Sequence, residues 1–270
     1  MIHFWPRLRA QLAAIHTGLV LLFILAPIAI MVPISLTSGS LLTLPVPGWS
    51  GQWYETVFTD PRWTGAFLNS LIIGAASTLI ATLLGTLAAI GLTWGRFPGK
   101  QLMLALISVP LVLPIVIMGV ACFSFYATMG LIGSRLALIL AHAGLAAPVV
   151  VTTVMANLKS FDRGLMRAAA SMGAGPIYAF RRILVPLVAP GICTGALVAF
   201  LISFDEVVIA SFLTTAEQRT LPRQIFSGVR ESISPAIAAA AVVLILISAL
   251  VLALTAEMQR RARNLRMTTR

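Results

Sequence analysis

Residues 166–190 read MRAAASMGAGPIYAFRRILVPLVAP. The stretch holds three arginines (Arg167, Arg181, Arg182) and no acid, two glycines separated by one residue, and three prolines. Long apolar runs flank it on both sides. It is too polar to cross a membrane and too apolar for a solvated loop, so its place depends on what those runs are.

The runs are built for lipid. Of 270 residues, 59% are hydrophobic and 10% are charged, against roughly 45–50% apolar in an average soluble domain. A soluble protein of this length lacks the polar cover for so much apolar surface. With lipid as solvent, a span needs about 20 apolar residues to cross ~30 Å of hydrocarbon. The net charge of +11 suggests nucleic acid at first sight. The basic residues, however, fall in the gaps between apolar runs rather than along one face, as membrane topology dictates, so no nucleic-acid partner is expected. Cys122 and Cys193 sit inside apolar runs without CxxC spacing and read as small buried hydrophobes.

Working outward, the chain reads as one all-α transmembrane domain over residues 1–270 with six spans: His16–Leu36, Ala66–Trp94, Leu102–Met129, Arg135–Asn157, Gly191–Leu213 and Ala236–Ala256. The first run follows Arg7 and Arg9 like a signal peptide, but it is too long for a cleaved h-region and reads as a retained span, with Pro27 and Pro33 placed to kink it. Trp49, Trp53, Tyr54 and Trp63, in and just after the following loop, suit the membrane–water boundary. In the second run Gly74, Ser77, Ala81, Gly85 and Ala88 make one smooth helix face for close packing. Pro110, Pro114 and Gly119 interrupt the third, either as ordinary membrane prolines or as breaks that line a cavity.

Six spans put both termini on one side. That side carries 14 of the 19 basic residues: Arg7, Arg9, Arg96, Lys100, Lys159, Arg163, Arg167, Arg181, Arg182, Arg260, Arg261, Arg263, Arg266 and Arg270. The other carries Arg62, Arg135, Arg219, Arg223 and Arg230. The excess of Lys and Arg marks the first side, with both termini and residues 158–190, as cytoplasmic.

Within 158–190, Ser160 or Asp162 caps a helix whose apolar face is Leu165, Ala168, Ala169 and Met172. Gly173 and Gly175 end it, and Pro176 opens a second short helix with Ile177, Phe180, Ile183 and Leu184 in a stripe. Such a pair either lies on lipid headgroups or docks into a groove on a cytoplasmic partner.

The stretch resembles the cytoplasmic loop of permease subunits of ATP-binding-cassette importers. The motif there is Glu-Ala-Ala, three residues, Gly, nine residues, Ile, one residue, Leu-Pro. Here Arg167-Ala168-Ala169, Gly173, Ile183 and Val185-Pro186 fall in that register, with an arginine for the glutamate and a valine for the leucine. SFDEVVIASFL at 203–213, TLPRQIFSGVRESISPAI at 220–237, and the segment from Trp53 through Asn69-Ser70-Leu71 resemble the spermidine/putrescine branch of that family. The resemblance spans residues 53–256. It implies the type I importer permease (MetI-like) fold in the bacterial inner membrane. It also implies a coupling helix over Arg167, Ala168, Ala169, Met172, Gly173 and Ala174, a second permease, two ATPase subunits that hold ATP and Mg, and a periplasmic or extracellular binding protein. No cofactor is expected on this chain.

Asp205 and Glu206 fall in the fifth run, about two thirds of the way from its cytoplasmic end. Acids at that depth need a reason. They either pair with Arg135 or an arginine of residues 214–235, open onto the outer mouth, or line a cation pathway together with Ser203 and Phe204. The resemblance favours a polyamine; γ-aminobutyrate, opine-like compounds and ferric iron are the alternatives within the same importer class. No GxxxxGK[ST] occurs, so ATP hydrolysis is not expected on this chain, which reads as non-catalytic. Ser134 and His142 lack a serine-protease context, and His3, His16 and His142 are too scattered for a metal site. A secondary transporter working without an ATPase is the competing class.

Overall fold

The structure, a computed structural model, describes residues 4–231 and 233–268. His3 and Arg270, both weighed above, lie outside the described residues. The fold is helical, with one isolated β-bridge, Thr37 to Trp49, among the described residues. The helices are α1 (Phe4–Ser35), α2 (Gln52–Thr59), α3 (Pro61–Trp94), α4 (Lys100–Val112), α5 (Ile115–Thr128), α6 (Arg135–Lys159), α7 (Gly164–Ser171), α8 (Pro176–Ala179), α9 (Val185–Phe204), α10 (Val208–Leu213), α11 (Leu221–Glu231) and α12 (Pro235–Thr268). Five helical stretches are long and apolar enough to cross a membrane, and a sixth span results if the bent pair α4 and α5 is counted as one.

The residues group into two compact units, one of residues up to 64 with 225–245, the other of 65–224 with residues from 246 onward. In the first unit the apolar stretch of α1 has 0% of its residues buried, which is tolerable only against lipid or another membrane helix. After α1 the chain is pinned by polar tips. Ser35 Oγ pairs with Tyr54 Oη at 2.8 Å, and Trp53 Nε1 donates to Gly39 O at 3.2 Å. Trp49 is exposed, as a boundary residue is expected to be, whereas Trp63 is buried and packs as core.

In the second unit α3, α6 and α9 share a core around Ala81, Ala89, Val150, Val154, Leu184 and Ala199. The smooth face of α3 is what makes this possible. Ser77 Oγ donates to Ile139 O at 3.0 Å, and a methyl at Gly85 would lie 2.8 Å from Val150 Cβ. A second core joins α3, α5, α6 and α10 through Ile73, Tyr126, Leu138, Leu145, Ile209 and Leu213.

Two expected spans are redrawn. The third is two helices meeting at 105°. The break is at Leu113-Pro114 alone. Proline forces its predecessor out of the helical region, and Leu113 has ψ 138°. Pro110 remains inside α4, and Gly119 remains inside α5, where its missing side chain admits the Phe212 ring. The fifth span begins at Pro176, not Gly191. α8 runs through a wide turn at Phe180–Leu184 into α9 as one 29-residue stretch. The wide turn directly precedes Pro186, which has no N–H to offer the Arg182 carbonyl, and a π-type turn absorbs the mismatch. The second short helix expected after Gly175 is therefore the first turns of a span. That span ends at Phe204, before the acids, rather than at Leu213.

Candidate functional site

The chain breaks between α9 and α10, and both acids sit in the break. Asp205 follows the last turn of α9, its N–H bonded to Leu201 O at 3.0 Å. Glu206 then turns back onto the start of α10. Its two carboxylate oxygens accept the N–H groups of Ile209 at 2.7 Å and Ala210 at 2.9 Å. These are donors that a helix start otherwise leaves orphaned. From α6, His142 Nε2 stands 3.3 Å from Glu206 Oε2, and His142 Nδ1 is 2.8 Å from Ser203 Oγ. His142 is 0% exposed, and Ser203 and Glu206 are buried with it. A carboxylate out of water is tolerable only when surrounded by such donors.

Asp205 is exposed, and its carboxylate has no ion-pair partner among the described residues. It opens onto a cavity of about 580 Å³ walled by Pro110, Leu111, Leu113 and Ile115 from the α4–α5 break, Leu145 from α6, and Leu201, Ile202, Glu206, Val207 and Val208 around the α9–α10 break. Two broken helices thus face one cavity whose charged lining residues are Asp205 and Glu206. The four residues assigned to a pathway separate here. Asp205 and Glu206 reach the cavity. Ser203 turns to His142, and Phe204 is buried, stacked on Phe200 at 5.2 Å between ring centroids. Neither acid pairs with Arg135 or with an arginine of residues 214–235. His142 was dismissed in the sequence, because its partners lie 61 residues away and beyond. The available signal was a lone ionisable ring inside an apolar run.

The loop at 160–175 is the second candidate surface. Neither Ser160 nor Asp162 is the cap of α7, which falls on Arg163 without a side-chain cap bond; Asp162 Oδ1 accepts the Gly164 N–H at 2.7 Å in the turn just before, and Ser160 closes α6 by donating to Asn157 O. α7 ends where Gly173, at φ 81°, lets its N–H reach Ala170 O and the Ala174 N–H reach Ala169 O, both at 3.0 Å. Such a closure needs a left-handed residue at that position, and glycine takes it without strain. The expected apolar face divides. Ala169 turns inward beside Met166, while Leu165, Ala168 and Met172 face outward, Met172 at 82% exposure. Ile177, Tyr178 and Arg167 are exposed as well.

Apolar helices of membrane length, two of them broken around one cavity, with a short helix presented on a polar loop, define the membrane-embedded part of a transporter. Residues 81–264 match the binding-protein-dependent transport system inner membrane component family, and the chain belongs to it. It is 35% identical over 230 residues to the putrescine transport system permease protein PotI of Escherichia coli K12, covering 83% of this chain and 82% of that one. It is 31% identical over 214 residues to the spermidine/putrescine permease protein PotC of Haemophilus influenzae, covering 79% and 83%. In fold it is similar to a chain of the bacterial alginate ABC transporter solved with a pentasaccharide-bound periplasmic protein. The TM-score there is 0.70 at 16% identity, over 96% of this chain and 97% of that one.

Proposed function

We propose that this chain is one of two permease subunits of an ATP-driven importer in the bacterial inner membrane, and that its substrates are polyamines. Family membership supports the importer class. The observation that carries the substrate class is Asp205, a carboxylate without an ion-pair partner among the described residues, in a cavity at two helix breaks whose other lining residues, Glu206 apart, are apolar. A polyamine fits that chemistry: an ammonium group meets the carboxylate while the methylenes lie against Pro110, Leu111 and Ile202. The names of the relatives point the same way.

In this reading α4 and α5 form the third of six spans, and both termini and α7 are cytoplasmic, supported by the side carrying 14 of 19 basic residues. A second permease completes the pathway. Two ATPase subunits hold ATP and Mg, and an external binding protein delivers the substrate. The exposed Leu165, Ala168 and Met172 dock on one ATPase, whose closure pulls α7 and reorients the spans.

The test is uptake by the assembled importer in proteoliposomes loaded with ATP. Radiolabelled putrescine and spermidine should accumulate, and γ-aminobutyrate, an opine or ferric iron should not compete. Uptake that persists without ATP or the ATPase subunits would instead establish a secondary transporter.

A further inference from the structure

A second charged site lies at the far end of α3. Helix α3 closes on Trp94, and its terminal carbonyls draw two cations: Arg163 Nη2 donates to Thr93 O at 3.3 Å, and Lys100 Nζ reaches Gly95 O at 3.4 Å. The Arg163 guanidinium also lies over the Trp94 ring, 5.2 Å from its centroid, which fixes its position. Beside it is a cleft of about 520 Å³ lined by Trp94, Arg96, Arg163, Met166 and Arg167. Three arginines, all exposed, thus line one cleft and no acid does. Neither Arg96 nor Arg167 has an ion-pair partner among the described residues. Asp162, the nearest acid in sequence, is occupied by the Gly164 N–H and does not line the cleft.

Three arginines around one cleft make a locally positive surface that favours an anion, and the planar guanidinium fork matches phosphate oxygens. We infer that this cleft binds the phosphate of an anionic phospholipid headgroup at the cytoplasmic face of the membrane. The cleft opens at the end of a 34-residue apolar helix, where headgroups lie, and Trp94 and Met166 give it an apolar wall for the start of an acyl chain. An acid on the ATPase fits less well. At ~100° per residue, Arg167 stands roughly 130° around α7 from the middle of the Leu165–Ala168–Met172 stripe that faces outward. Basic clusters bordering a membrane span have this chemistry generally. The placement on the cytoplasmic leaflet rests on the orientation proposed above; binding of the headgroup does not.

The test is lipid retention by the purified importer, read by native mass spectrometry in detergent titrated with phosphatidylglycerol or phosphatidylcholine. Phosphatidylglycerol should be retained in preference. Arg96→Gln and Arg167→Gln should each lower its retention roughly fivefold. Lys159→Gln, which removes a charge from the same stretch outside the cleft, should leave it unchanged. Arg96→Lys with Arg167→Lys should retain an intermediate amount, which keeps the test open if either glutamine variant does not fold. Equal retention by wild type and the glutamine variants would overturn the inference. So would displacement of the lipid by inorganic phosphate, which would make the ligand a soluble anion. Unchanged retention with loss of ATPase association in Arg167→Gln would make the partner a protein. Because retention is read without transport, its failure is separate from failure of the polyamine reading.

Discussion

Asp205 and Glu206 are chain neighbours with separate work. Glu206 spends both oxygens on the start of α10 and leans on His142, so its loss is first a structural loss. Glu206→Gln leaves one carbonyl oxygen for two backbone donors and turns an amide toward them. It should cost about 1–3 kcal/mol, seen as a lower unfolding temperature in detergent. Ser203→Ala should cost about 1 kcal/mol by the same measurement, since one buried hydrogen bond to His142 disappears. Asp205→Asn removes a charge that nothing in the described chain uses. Stability should stay within about 0.5 kcal/mol while polyamine uptake falls and basal ATP hydrolysis persists. Unchanged uptake in Asp205→Asn would remove the acid from the pathway. The two residues look equivalent in the sequence because nothing local distinguishes them. The partner that separates them sits on α6.

At the scale of elements, glycines mark where helices stop or touch. Gly173 has open space around its Cα but a φ of 81°, so Gly173→Ala meets a purely backbone penalty of about 1–2 kcal/mol. The expected outcome is a frayed end of α7 and weaker co-purification of the ATPase, with little change in expression. Gly85 is the reverse case: a regular helical position with Val150 pressed against it. Gly85→Ala should destabilise the isolated chain by about 1–3 kcal/mol through forced separation of α3 and α6. Gly91→Ala, on the same helix with nothing within 4 Å, should be neutral or slightly stabilising. The contrast, read by thermal unfolding, isolates packing from propensity. These positions were legible because spacing alone exposes them: the small stripe of α3 and the glycine after Ala168-Ala169. Element boundaries were less so. Prolines signal a break but not which proline makes it. Pro110 is carried inside α4, Pro114 ends that helix, and Pro186 and Pro190 are carried in α9 after the wide turn. The apolar stripe at Ile177–Leu184 looks like a separate surface helix because the first turns of the stretch from Pro176 carry the exposed Arg181 and Arg182 beside it.

For the molecule as a whole, apolar runs and their basic borders gave the class of fold directly, since lipid imposes helices and a minimum length on any chain that crosses it. That the breaks of the third run line a cavity was one of two readings open in the sequence; its other wall was not legible, because the second break lies about 90 residues further along the chain and is brought there by packing of α10 against α5 and α6. Orientation follows from charge and has a decisive test. In a background with Cys122→Ser and Cys193→Ser, single cysteines are placed at two exposed positions, Thr59→Cys in α2 and Ser171→Cys in α7. The Lys and Arg excess assigns the first to the outside and the second to the cytoplasm. A membrane-impermeant maleimide added to intact cells should therefore label Thr59→Cys at once and Ser171→Cys only after permeabilisation. The reverse pattern would put α7 on the wrong side for any ATPase and end its proposed docking role. Labelling of both from outside would mean an even number of crossings between them, and would require that α4 and α5 enter and leave the membrane on one side rather than cross it as a single bent span.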